Sequence, residues 1–142
     1  MRLQCITSFL LFALMPLGVL AQDVITTSDL HASAAPVLEN LLSADLEGNP
    51  DTAVILSRVS LPPNTALPKH WHPGEEFAVV IKGAVTLWQK DKDPVKVLAG
   101  EAIKVPIRQI HTAITEDEAV ELIVFRVHEK GQPERVLVDH QD

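Results

Sequence analysis

Residues 70–83 read HWHPGEEFAVVIKG, and this stretch decides how the rest of the chain is interpreted. His70 and His72 are two residues apart, so on an extended strand their side chains project from the same face. Two strand steps separate them by about 6.6 Å, which lets both imidazoles bind one small cation. A Pro-Gly pair then allows a sharp turn, and Glu76 follows at the start of an apolar run. The stretch therefore predicts part of a metal site.

A further ligand is expected from a distant strand that folds back beside this one. His111 is the candidate, because it follows a short strand-like segment that stops at Pro106. With His111 the predicted metal ligands become His70, His72, Glu76 and His111. Three imidazoles and one carboxylate suit a divalent transition metal such as Fe, Mn, Ni, Cu or Zn.

The spacing of these residues resembles that of the cupins, small antiparallel β-barrels that hold a metal near the barrel axis. Their first motif ends in H-x-H, three or four residues, E, six residues and G. Their second motif is G, five residues, P-x-G, two residues, H, three residues and N. This chain matches the first motif at His70, His72, Glu76 and Gly83, and the second at Gly100, Pro106 and His111.

Three positions depart from the family pattern. Arg108 stands where the second motif has Gly, and Thr115 stands where it has Asn. Asn64 occupies the position of the Gly that usually opens the first motif. These departures concern the local turn geometry more than the ligand set, which is complete.

The resemblance covers roughly residues 37–128 and implies a single-domain, all-β antiparallel barrel or jelly roll. The pattern along the chain favours the same class, because many short strands alternate with Gly, Pro and Asp turns. We expect a loosely ordered arm at residues 22–36 and the barrel, with a C-terminal strand, at residues 37–142. Residues 37–42 fit either a strand or one helical turn. Residues 77–81 are apolar throughout, which predicts a strand buried on both faces.

A metal with four protein ligands keeps one or two coordination positions open, which is typical of a reactive site. The resemblance implies a dioxygenase-like enzyme that acts on a small oxygenated or carboxylated substrate, such as an enediol, a flavonol or a 2-oxo acid. Glu76 can alternatively leave the metal and act as a general base. A non-catalytic module that binds a small ligand or metal, or a sugar-type isomerase, is the alternative. The sequence contains no tyrosine, which excludes a phenolate base.

Other polar residues receive simpler interpretations. His31, His128 and His140 show no ligand spacing and are interpreted as ordinary surface or core histidines. Glu75 is interpreted as a solvated turn residue. Four residues can orient an anionic substrate, although a solvated strand or loop position is the simpler interpretation of each: Arg58, Gln89, Arg108 and Arg126.

The charge balance bounds the partners. The chain has 12 Lys and Arg against 19 Asp and Glu, a net charge of −7, and its basic residues are dispersed. Nucleic acid and anionic membranes are therefore not expected to bind it. A small-molecule substrate or ligand is expected instead. A homodimer that covers sheet edges or apolar surface is compatible with so small a barrel.

Residues 1–21 are typical of a secretory signal peptide. Arg2 is the only charge before Asp23, residues 9–20 are apolar, and Ala21 provides a small residue at the cleavage position. Cleavage after Ala21 also removes Cys5, the only cysteine, so the mature chain needs no disulfide. We expect a secreted or periplasmic protein that has no membrane segment after cleavage.

Overall fold

The computed structural model describes residues 35–138, so the predicted signal peptide and almost all of the predicted arm lie outside the described residues. Within this range the chain forms ten strands. In chain order they are β1 (Val37–Asp45), β2 (Thr52–Leu61), β3 (His70–Trp71), β4 (Glu75–Lys82), β5 (Ala84–Gln89), β6 (Val95–Leu98), β7 (Ala102–Val105), β8 (His111–Ile114), β9 (Val120–Glu129) and β10 (Val136–Leu137). Residues 35–138 include no helix long and apolar enough to cross a membrane.

The strands form two five-stranded antiparallel sheets. The first has the order β1-β2-β9-β4-β7 and the second the order β10-β3-β8-β5-β6. Their inner faces pack together, and the core between them is aliphatic. Its buried members are Val59, Leu61, Ala78, Val80, Val85, Val97, Val120, Leu122 and Val124. This jelly-roll arrangement confirms the all-β prediction, and residues 37–42 form part of strand β1 rather than a helical turn.

The apolar segment of β4 is buried on only one face, so the prediction of two buried faces is wrong. Ala78 and Val80 point into the core, whereas Phe77 and Ile81 are 36% and 51% exposed. Apolar residues at every position are typical of strands covered on both sides, but the sheet that contains β4 is antiparallel and has one uncovered face. Phe125 of β9 contacts Phe77 on this outer face. A homodimer that covers such apolar surface stays a prediction.

The positions that depart from the cupin pattern preserve the turns. Asn64 and Arg108 stand where the family has Gly, and their φ angles of 52° and 58° are in the left-handed region. Asn enters that region more readily than most residues, whereas a longer side chain such as that of Arg108 costs roughly 1–2 kcal/mol there. Thr115 is buried; its hydroxyl donates to the Pro62 carbonyl at 2.6 Å and accepts from the Thr65 N–H at 2.9 Å. Asn64 and Arg108 therefore adopt the left-handed backbone conformation that glycine favours, although neither is glycine.

Replacing Arg108 by glycine is expected to give a more stable protein than replacing it by alanine. Both changes remove the guanidinium, which lies 6.0 Å from the Trp71 ring centroid, but only glycine relieves the left-handed strain. We expect the unfolding free energy of R108G to exceed that of R108A by roughly 0.5–1 kcal/mol. This difference is smaller than the relieved strain, because glycine also raises the entropy of the unfolded chain and so lowers stability. Urea unfolding of the two variants measures this difference. Equal stabilities would contradict the strain at residue 108.

Candidate metal centre

Two neighbouring strands of the second sheet bring His70 and His111 together. His70 on β3 is the register partner of His111 on β8, and their ring centroids are 4.4 Å apart. His72 follows two residues after His70 on the same side of the chain, with its centroid 5.3 Å from that of His111. All three rings are buried. Each offers a nitrogen to the cluster, and these nitrogens lie within 4.8 Å of one another.

Backbone carbonyls determine which nitrogen of each ring faces the cluster. The Nδ1 atoms of His70, His72 and His111 lie 2.8, 2.7 and 2.9 Å from a main-chain carbonyl oxygen. A carbonyl oxygen can only accept, so each Nδ1 carries a proton and donates it. In the neutral ring, Nε2 then keeps its lone pair. The accepting carbonyls belong, in the same order, to Pro68, Glu134 and Gln109.

Glu76 reaches the histidines from the opposite sheet. Its Oε2 is 3.1 Å from Nε2 of His72, and its Oε1 is 3.6 Å from Nε2 of His111. Just before β4 the backbone at Gly74 passes close to β9. Only glycine fits there, because a Cβ atom would overlap the carbonyl oxygen of Val127. The Pro-Gly turn that the sequence indicated therefore lets the chain pass close to β9 and deliver the carboxylate to the cluster.

The donor set fits a cation. Three Nε2 lone pairs and a carboxylate face one another, and such groups repel unless a positive charge lies between them. Nε2 of His72 is buried and has no hydrogen-bond partner. A buried polar atom left in this way costs about 1–3 kcal/mol. One proton can satisfy one such contact, whereas one divalent ion can bind all the converging N and O donors.

Electrostatics keep the ligands in forms that bind metals. Burial, together with the neighbouring His111, lowers the pKa of His70 to about 4, so this ring is neutral near pH 7. Burial alone would raise the pKa of Glu76, but the pKa lies well below its usual range: His111 and His72 lower it when their rings donate a hydrogen bond to the carboxylate, and the charge of Arg126 lowers it in either case. A neutral imidazole and an ionised carboxylate are the forms that donate lone pairs to a metal.

Arg126 belongs to the site, although its simpler interpretation from sequence was a solvated strand position. It is 5% exposed and is the register partner of Glu76 across β9 and β4. Its Nε donates to Glu76 Oε2 at 2.8 Å, and one of its terminal NH groups donates to the carboxylate of Glu134. Period-two alternation in the sequence places Arg126 on the same face as Val124 and His128, but only the structure shows that this face is the buried one.

The other candidates from the sequence do not line the cavity beside the cluster. Arg58 is exposed on the outer face of the first sheet, and Arg108 is exposed in its left-handed turn. Gln89 is buried as a register partner of His111, but its side-chain oxygen accepts from a lysine ammonium. Glu75 is partly exposed in β4 and forms an ion pair with Lys104 at 2.6 Å. None of these four side chains lines the central cavity.

His128, the remaining histidine among residues 35–138, does not join the cluster. His128 is buried on β9, and its Nε2 lies 3.1 Å from the Gln132 carbonyl oxygen, to which it donates. It is absent from the group of three that can hold a metal. His31 and His140 lie outside the described residues. His128 therefore provides an internal control for experiments on the other three.

A cavity of about 300 Å³ lies beside the histidines, between the two sheets. This volume suits a small molecule rather than a polymer. Its polar walls are the three clustered histidines, Glu76, Arg126, Glu134 and Arg135. Its apolar walls include Leu67, Leu87, Ile103, Leu122 and Val124.

A two-sheet antiparallel barrel that directs three histidines toward an internal cavity defines a class of small β-barrels able to hold a metal ion beside a small molecule. The family model of the cupin domain matches residues 57–126, which include all four predicted ligands and Arg126. The chain belongs to the cupin superfamily, as a single-domain protein of the cupin-2 type.

Solved structures share the fold at low sequence identity. DMSP lyase DddQ from Ruegeria pomeroyi DSS-3 is 21% identical with a TM-score of 0.64, and the match covers 76% of this chain and 54% of that one. The polyketide cyclase RemF from Streptomyces resistomycificus is 21% identical with a TM-score of 0.53, and the match covers 70% of this chain and 82% of that one. A cupin-like protein from Thermotoga maritima MSB8 is 16% identical with a TM-score of 0.59, covering 72% and 75%. No curated protein sequence matches the chain. This chain thus spans about half the length of the lyase.

Metal affinity is expected to fall on acidification, but with fewer protons released per ion than there are histidines in the cluster. Protons compete with the metal for the imidazole nitrogens, so affinity should decrease as the solution is acidified. His70 differs because its pKa of about 4 leaves it already neutral at pH 5 and above, where it has no proton to release. Zinc titrations between pH 5 and 8, in buffers of different ionisation enthalpy, count the protons. Affinity that does not change with pH would contradict a histidine site.

Proposed function

We propose that this protein is an exported, metal-dependent cupin enzyme with dioxygenase-like activity on a small oxygenated or carboxylated substrate. The observation that supports it most is the convergence of three Nε2 lone pairs and the Glu76 carboxylate at the wall of an apolar cavity. A structural metal site would saturate the ion with protein ligands, whereas this donor set leaves positions open for an ion that takes five or six ligands.

The protein residues divide the work between holding the ion and shaping its surroundings. His70, His72 and His111 would hold a divalent ion through Nε2, and their Nδ1–H bonds to carbonyls orient the rings. An ion bound there would supply Lewis acidity toward a substrate oxygen or a position for O2. The nitrogen and oxygen donors suit Fe, Mn, Ni, Cu or Zn, and a dioxygenase reaction favours a redox-active member of this group.

Glu76 is assigned as a ligand rather than as a general base. Burial would raise the pKa of Glu76, but hydrogen bonding with the clustered histidines and the charge of Arg126 hold that pKa well below the usual range. A carboxylate with so low a pKa is a poor proton acceptor near neutral pH. Its Oε2 is also engaged by the Arg126 Nε–H at 2.8 Å, which fixes the carboxylate toward the histidines.

The cavity walls favour a substrate with a polar end and an apolar body. Aliphatic side chains such as Leu67, Leu87 and Ile103 line the space beside the polar cluster. Walls of this kind exclude water from the reacting groups and strengthen the electrostatic interactions there. They also accept an uncharged gas such as O2 without loss of hydrogen bonds, which is consistent with oxygen chemistry.

Non-redox chemistry is the second candidate. Two of the solved structures that resemble this chain are named a lyase and a polyketide cyclase. The same open position can polarise a carbonyl or carboxylate oxygen without any electron transfer. A sugar-type isomerase belongs to this candidate, and a non-catalytic ligand-binding module is the outcome if no turnover occurs.

Export is proposed on the sequence alone. Arg2 followed by the apolar residues 9–20 and a small residue at position 21 is the supporting pattern. The intact mass of the protein recovered from the secreted or periplasmic fraction tests it. A chain that begins at Gln22 is expected, and a chain that still begins at Met1 would contradict export.

Oxygen uptake tests the proposed activity. The protein is loaded with Fe(II) or with Zn(II) and incubated with diols, flavonols and 2-oxo acids. We expect oxygen consumption by the iron form of the wild type and of H128A, and a loss of at least about tenfold in H111A, because removing a ligand costs at least an order of magnitude in metal affinity. His128 is a matched control, since it is buried in the same barrel without joining the cluster.

The other outcomes discriminate among the candidates. Product formation by the zinc form without oxygen uptake would favour the Lewis-acid reaction and contradict the dioxygenase. Stoichiometric metal binding with no turnover of any compound would favour the binding module. Equal activity of H111A and H128A would remove the three-histidine cluster from the reaction.

A further inference from the structure

Arg126 binds two carboxylates that differ in how firmly they are held. Glu76 is buried, and its Oε2 accepts from Arg126 Nε at 2.8 Å. Glu134 accepts from a terminal NH group of the same guanidinium, yet its side chain is 52% exposed. Both Arg126 and Glu134 line the cavity. One edge of the guanidinium therefore donates to the buried Glu76, and another donates to Glu134, an acid at the boundary with solvent.

The main chain of Glu134 is anchored independently of its carboxylate. Its carbonyl oxygen accepts the Nδ1–H of His72 at 2.7 Å. The N–H of Gln132, two residues earlier, donates to the Glu129 carbonyl, so the segment after β9 is held at more than one point. Rotation of the Glu134 side chain into solvent therefore leaves the His72 hydrogen bond in place. The ion pair with Arg126 can open without disturbing the metal cluster.

The charges at this end of the cavity favour an anion. A divalent ion, the Glu76 carboxylate and the Arg126 guanidinium together carry a net charge of +2, Arg135 on the same wall adds another positive charge, and the three imidazoles are neutral ligands. Glu134 supplies one negative charge toward this excess. A guanidinium binds carboxylates through a planar fork of parallel N–H donors, which a substrate carboxylate can engage as well as Glu134 does.

We propose that Arg126 is the binding site for the carboxylate of a small monocarboxylate ligand, and that Glu134 occupies this site until the ligand displaces it. The ligand's apolar body then lies along the aliphatic walls of the cavity, with its carboxylate held beside the metal centre. This inference rests on the proposed function only where it names monocarboxylates as the substrate class of that enzyme. Binding of the carboxylate to Arg126 can be measured without any turnover.

The test compares pentanoate with pentanamide, which has the same shape and no charge. Binding of each to the zinc-loaded protein is measured by calorimetry at 0.15 M salt, which screens remote charges beyond about 8 Å. We expect pentanoate to bind more tightly than pentanamide. In E134Q the pentanoate affinity should rise by about twofold to fivefold, because a half-exposed ion pair no longer competes for Arg126. Pentanamide affinity should not change.

E75Q is the matched control, because it removes one carboxylate from the opposite face of β4, where Glu75 pairs with Lys104. Its pentanoate affinity should equal that of the wild type. R126K completes a double-mutant cycle: lysine keeps a charge beside Glu76 but lacks the planar fork. In the R126K background, E134Q should no longer tighten pentanoate binding. Zinc content and melting temperature of every variant show that the barrel is intact.

Three results would overturn the proposal. These are equal binding of pentanoate and pentanamide, equal affinities of E134Q and E75Q for pentanoate, and a gain in E134Q that persists unchanged in R126K. The last result would assign the carboxylate to the metal rather than to Arg126. Failure of the proposed function would give a different result. No compound would be turned over, but E134Q would still bind pentanoate more tightly than the wild type and E75Q.

Discussion

Three hydrogen bonds from histidine Nδ1 atoms to backbone carbonyls determine what the interior of this barrel can bind. They turn the Nε2 lone pairs of His70, His72 and His111 toward one point and fix the tautomers that a metal requires. The Pro68 and Gln109 carbonyls lie two residues before the histidines that they orient, whereas the Glu134 carbonyl comes from the segment after β9. The complete cluster therefore forms only when β3 and β8 are paired and this segment is in place. Folding thus creates the site and its unsatisfied donors together.

The buried ion pair between Glu76 and Arg126 joins the metal cluster to the ligand cavity. The two residues are register partners on adjacent strands, so the sheet itself determines their contact. A buried carboxylate with no partner would take up a proton, but the charge of Arg126 and its hydrogen bond favour the ionised form of Glu76. The same guanidinium then faces the cavity and Glu134. One charged side chain therefore serves both the metal ligand and the proposed anion site.

The sequence predicted the cluster because its spacing reflects strand geometry. His70 and His72 share a face two residues apart, and His111 follows a turn that the second cupin motif identifies. Asn64 and Arg108 departed from the motif, but backbone strain at these positions is tolerated and the turns persist. The glycines of the family pattern thus mark two positions that have positive φ angles in this chain, even though the residues differ.

Other features depended on contacts that a single sequence does not specify. Arg126 is a charged residue in an otherwise mostly apolar strand. Its burial could be inferred only once it was known which face of β9 points inward and that Glu76 is its partner. Glu134 joins the site through two contacts. Its carbonyl accepts from His72, which lies 62 residues earlier, and its carboxylate accepts from Arg126, which lies 8 residues earlier. No local sequence pattern indicates either contact. Phe77 and Ile81 appeared buried because composition does not reveal which face of a sheet is covered.

Histidine tautomers provide the most direct test of the central claim. A long-range ¹H–¹⁵N correlation spectrum of the zinc-free protein at pH 7 distinguishes a protonated Nδ1 from a protonated Nε2. The account predicts a proton on Nδ1 of His70, His72 and His111, and a proton on Nε2 of His128, which donates to the Gln132 carbonyl. Added zinc should shift the Nε2 resonances of the first three and leave His128 unchanged. Protonated Nε2 atoms in two of the three, or no shift with zinc, would contradict it.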